Sequence, residues 1–82
     1  MNEEIERVLS FSHRMNGMLD DDYTLYESGK ILHEFDKHQY PGGQNLTEEL
    51  STNEVNESVK LRLLQAASDL DKNQVKQLLG LV

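Results

Sequence analysis

One proline stands in this chain, between a tyrosine and two glycines at its midpoint, as Tyr40-Pro41-Gly42-Gly43. Proline removes a backbone donor and pushes the residue before it out of the helical region, while the glycines take positive φ without a Cβ penalty. No helix can run through such a segment. The chain therefore reads as two halves joined by a loop over residues 40–45, and the spacing on both sides of that loop predicts helix.

In the first half, Ile5, Val8, Leu9, Met15, Met18 and Leu19 recur at helical intervals, with Phe11 at the edge of the stripe. Asp20, Asp21 and Asp22 offer an N-cap for a second helix that runs to about Gln39 and carries Leu25, Ile31, Leu32 and Phe35 on its apolar side. Gly29 would weaken that helix unless it lets helix one approach closely. Beyond the loop, Asn45 with Glu48 and Ser51 with Glu54 have the spacing of capping boxes. Val55, Val59, Leu63, Ala66 and Leu70 then mark a main third helix, which Leu61, Leu64 and Ala67 widen into the centre of the core. Asp71 with Gln74 restarts the chain as a last helix containing Val75, Leu78 and Leu79, closed by Gly80, with Leu81 and Val82 folding back. No stretch alternates with period two over a useful length. The expected fold is all-α: a small bundle of about four helices in two antiparallel hairpins, residues 1–39 and 46–82, within one domain of residues 1–82.

The core of such a chain is thin, since 37% of its 82 residues are apolar and none is tryptophan. A partner or a homodimer would help to cover it. Without cysteine there is no disulfide or thiol chemistry, and the acidic start Met1-Asn2-Glu3-Glu4 has no apolar signal region, so the expected location is the cytoplasm, away from membranes. Fifteen carboxylates against eight Lys and Arg leave a net charge of −7, which disfavours direct binding to nucleic acid or anionic lipid. Ten of those carboxylates fall at expected helix starts, where the macrodipole favours negative charge.

On the second expected helix, Tyr23, Tyr26, Lys30, His33 and Lys37 recur at helical intervals on the side opposite Leu25, Ile31, Leu32 and Phe35. Tyrosines beside cations suit a protein interface, because tyrosine buries a large area at low entropy cost and keeps a polar tip. Tyr40, in the loop, would extend the stripe. These six residues are the candidate partner-binding site.

Other chemistry finds little support. His33 and His38 are five residues apart and no third ligand is nominated, so no metal is expected. No serine has a base or a strand-turn-helix context, and Gly42-Gly43 lacks the Lys-Ser or Lys-Thr of a phosphate loop, so neither an enzyme nor a cofactor is expected. Leu63-Leu64-Gln65-Ala66-Ala67 followed by Val75-Lys76-Gln77-Leu78-Leu79 resembles the helical pair of an ankyrin repeat. The likeness covers under a quarter of the chain, in one copy, and implies a tight helix hairpin. Gln74 to Leu81 also resembles the opening of a helix-turn-helix, but the sequence stops where a recognition helix would begin. The functional expectation is a small protein-interaction module, an inhibitor, antirepressor or adaptor that occupies a surface on a larger protein. The alternative is a nucleic-acid-linked regulator, either a DNA-binding dimer or an acidic DNA mimic.

Overall fold

The computed structural model describes residues 6–38 and 40–81, and it overturns the all-α expectation. Among the described residues the chain forms β1 (Val8–Ser12), β2 (Met15–Asn16), β3 (Leu19–Tyr26), β4 (Ile31–Phe35) and β5 (Leu46–Leu50). A 3₁₀ turn (Thr52–Glu54) follows, then α1 (Glu57–Ala66) and α2 (Lys72–Leu79). Both helices of the expected first hairpin are strands of one antiparallel sheet, ordered β1-β3-β4-β5, with β2 continuing the line of β1 along β3. The expectations placed on Ile5, Gln39 and Val82 fall outside the described residues.

The local reasons are turns. Asn16 pairs with Leu19 across Gly17 and Met18, and Gly17 takes φ of 66°, the left-handed conformation that a tight hairpin requires. A second turn at residues 27–30 returns the chain with Tyr26 N–H on the Lys30 carbonyl and Gly29 N–H on the Tyr26 carbonyl, both at 2.9 Å. Gly29 there has φ of 94°, so its role is conformational rather than that of a helix contact. The aspartates of 20–22 are strand residues, not caps.

Strand alternation then sorts the side chains. Leu25, Tyr23 and Asp21 point to one face with their partners Ile31, His33 and Phe35, while Thr24 and Asp22 point to the other with Leu32 and Glu34. Irregular register between Val8 and Ser10 turns both Leu9 and Ser10 inward. α1 and α2 cover the first face, which we call inward. There Leu9, Leu25 and Ile31 meet Val59, Leu63, Ala67, Val75 and Leu79 in one buried core. Each fully buried Leu or Ile contributes about 1.5–3 kcal/mol, which a chain this small cannot spare. The Ser10 hydroxyl donates to the Leu63 carbonyl at 2.5 Å and ties β1 to α1.

Further corrections lie after the midpoint. The Pro-Gly-Gly segment sits in the connection between β4 and β5, so it separates two strands of one sheet rather than two helical hairpins. Asp36 closes that connection, its carboxylate accepting from Asn45 N–H at 2.8 Å and Asp20 N–H at 3.0 Å. Asn45 is thus a loop residue at φ of 55°, not a helix cap, and Glu48 belongs to β5. Ser51 and Glu54 do form a capping box, on the 3₁₀ turn. Asn56, which accepts from Val59 N–H at 2.9 Å, starts α1, which ends before Leu70. Gly80 ends α2 at φ of 69°, with Leu81 N–H on the Lys76 carbonyl.

Candidate functional site

The six stripe residues do not share a face. Tyr23 and His33 point inward from adjacent strands, Tyr26 and Lys30 belong to the outward side of the β3–β4 hairpin, and Lys37 and Tyr40 are exposed in the connection to β5. Tyr26 and Lys30 remain neighbours, with the ammonium 4.8 Å from the ring centre. Lys30 also meets Glu6 at 3.0 Å and Glu49 at 3.8 Å, and the hydrogen bond to Glu6 holds its pKa above the ordinary lysine value.

Beyond the apolar core, the inward face carries a stack of rings. His33 lies parallel to Tyr23 with centroids 4.1 Å apart and to Phe35 at 4.4 Å, while the Arg62 guanidinium from α1 caps the column 5.0 Å from the Tyr23 centroid. His33 Nε2 stands 2.7 Å from Asp21 and Nδ1 stands 2.8 Å from Glu48. Carboxylate oxygens accept and cannot donate, so both contacts are hydrogen bonds only when both ring nitrogens carry protons. Asp21 in turn accepts from Arg62 at 2.9 Å. Burial raises the Asp21 pKa, but hydrogen bonds from His33 and Arg62 outweigh it and hold the carboxyl below its ordinary value. Burial also pushes the Tyr23 hydroxyl up, with Asp21 adding to the effect. With its side chain only 12% exposed and both nitrogens engaged, His33 serves here to fasten β3, β4 and β5 together.

The outward face is different, because no element of the described chain covers it. Register sets its rows: Val8 beside Tyr26, then Phe11, Thr24, Leu32 and Glu49, then Asp22, Glu34 and Thr47, then Met15 beside Asp20. Val8 and Phe11 are 48% and 49% exposed and Met15 is 51% exposed, so three apolar side chains line the β1–β2 side. Thr24 is buried between Phe11 and Leu32. The acids occupy the β3–β5 side, where Asp22 holds His13 at 2.5 Å and Glu34 forms no ion pair among the described residues. Sequence reasoning assigned Val8 to a helix core, left Phe11 at its edge and missed Arg62 altogether. The Asn16-Gly17 pair was the signal that could have put Phe11 and Met15 on a strand.

Charge follows the same division. Residues 1–51 hold eleven of the fifteen carboxylates and four of the eight Lys and Arg, whereas residues 52–82 are balanced at four against four. The whole net charge of −7 therefore belongs to the sheet portion of the sequence. An open cleft of about 460 Å³ lies where Gly29, Leu50 and Leu78 meet, and Lys30 in its lining is already engaged by Glu6 and Glu49. Among the described residues no group of three His, Cys, Asp or Glu is placed to hold a metal, and no helix is long and apolar enough to cross a membrane. No family model, curated protein or solved structure matches the chain.

Proposed function

We propose that this chain is a small cytoplasmic protein-interaction module that binds a larger protein through the outward face of its sheet. It acts by occupying a surface on that partner, as inhibitors, antirepressors and adaptors do. The observation that carries the reading is the placement of Val8 and Phe11, each about half exposed, beside Tyr26 and Leu32 on a face that nothing in the described chain covers. Apolar side chains gathered on one face and rimmed by charge are what a docking surface presents, whereas scattered exposed apolar residues are ordinary. Tyr26 keeps its place in the interface; Tyr23 and His33 are taken up by the inward stack. Absence of cysteine supports the cytoplasm as the working compartment.

A photo-crosslinking phenylalanine analogue at position 11, compared with one at the 94%-exposed Leu70, tests the reading in the native host. The expected result is a discrete crosslinked protein from position 11 and none from position 70. Equal products from both positions, or none from position 11, would sink it.

A further inference from the structure

We infer that the outward face docks a basic amphipathic helix of the partner; this rests on the interaction reading above and names the partner's chemistry. Val8, Phe11 and Met15 run alongside β3 from Tyr26 to Asp20, six residue steps of that strand, roughly 20 Å at about 3.3 Å per residue. A helix of about 15 residues spans that length at a rise of about 1.5 Å per residue. Beside this apolar column, among the described residues, Asp20, Asp22, Glu34 and Glu49 stand on the β3–β5 side, where Lys30 is already held by Glu6 and Glu49. A helix that lays Leu or Ile at i, i+4, i+7, i+11 and i+14 along the column turns one flank toward those acids, and Lys or Arg on that flank meets them. The sheet already accepts amphipathic helices on its other face, where α1 and α2 pack on Leu9, Leu25 and Ile31.

Charge selects this occupant over a second copy. Two such faces brought together would set Asp22 and Glu34 against their own counterparts within an acidic row of the sheet. The apolar column also separates this face from a phosphate mimic. A groove built for the nucleic-acid backbone meets a uniformly polar, charged ligand and would leave Phe11 and Val8 against polar groups.

The probe is a synthetic helical peptide of about 15 residues with a leucine stripe flanked by Lys and Arg, and a counterpart with Glu and Asp on the flank. Both are titrated by fluorescence anisotropy against the whole chain at about 0.15 M salt. The basic peptide is expected to bind and the acidic one not to. Phe11→Ser should weaken binding about tenfold, Glu34→Lys about fivefold, and Leu70→Ser should leave it unchanged. If circular dichroism shows that Phe11→Ser has lost its fold, Glu34→Lys carries the test, since Glu34 is exposed. Failure of the basic peptide to bind, equal affinity for wild type and Glu34→Lys, or a matching loss in Leu70→Ser would each overturn the inference. If position 11 still crosslinks to a partner when the basic peptide does not bind, the docking face stands and the basic helix falls. Crosslinked pairs of this chain from position 11 would put a second copy on the face and overturn it as well.

Discussion

Arg62 grips Asp21 twice, through the carboxylate at 2.9 Å and through the backbone carbonyl at 2.9 Å, and so clamps α1 to β3. The guanidinium is 93% shielded from solvent, and the carboxylate it meets is largely so. Breaking such a pair from one side leaves a largely buried carboxylate with His33 but without its guanidinium partner, and costs about 3 kcal/mol. Arg62→Met is therefore expected to lower the unfolding free energy measured by urea titration by that much, and Arg62→Lys to recover little, because a single ammonium cannot reproduce the fork. A double-mutant cycle with Asp21→Asn checks the assignment. The double variant should lose clearly less stability than the two single losses added, whereas simple additivity would place Arg62's contribution elsewhere.

Acid should unfold the protein through a small set of carboxylates. Asp21 lies below its ordinary 3.8 because hydrogen bonds from His33 and Arg62 outweigh burial. Asp36 lies below 3.8 because Asn45 and Asp20 donate backbone N–H groups to it, and Glu54 lies below 4.5 because Ser51 donates both its N–H and its hydroxyl. A carboxyl whose pKa is lower in the folded state contributes its full stability above the unfolded value and loses it as pH falls through the folded one. Urea midpoints should hold steady down to about pH 5 and then drop. In Asp36→Asn the drop should be shallower, and an unchanged acid limb would show that the 36–45 connection is not closed by that carboxylate.

Backbone geometry gives a third expectation, at Gly29. A Cβ there would meet Leu78 at an ordinary 3.8 Å, so space is not the obstacle; φ of 94° is. Gly29→Ala should cost about 1–2 kcal/mol, and thermal melting measures it. A neutral substitution would mean that the 27–30 turn can be made another way.

At the start of α1, Asn56→Ala removes the one side chain that caps Val59 N–H and should cost about 1 kcal/mol. Asn56→Asp should keep most of it, and equal losses from both would argue that the cap is not what starts the helix.

Legibility of the sequence divided along the chain. Residues 57–66 and 72–79 are helical where apolar spacing and Gly80 indicated helix, because there side chains pack on one continuous surface and the 3.6 period is unmixed. The sheet was hidden by two of its own core-face members. Tyr23 and His33 alternate with Thr24 and Leu32 as strand residues, but as polar residues at i and i+10, with Tyr26 at i+3 and Lys30 at i+7 between them, they imitate a solvated helix face. His33 faces inward by strand alternation, stacked on Tyr23 and Phe35 and bonded to Asp21 and Glu48, and its partners on β3 and β5 are long-range contacts that a local period cannot carry. The irregular register at Leu9 and Ser10 added to the confusion, since two consecutive inward residues break the alternation of β1. The candidate interface was legible only in part: Tyr26 and Lys30 do sit together, but Phe11, Leu32 and Glu34 join them through strand pairing.

Whether the outward face is the docking surface is answered most directly by chemical-shift mapping of the ¹⁵N-labelled chain during titration with the basic helical peptide. The account predicts that the largest shifts fall on Val8, Phe11, Thr24, Leu32 and Glu34, with α1 and α2 little moved. Shifts gathered on Leu61, Gln65 and Leu70, with β3 and β4 unchanged, would contradict it.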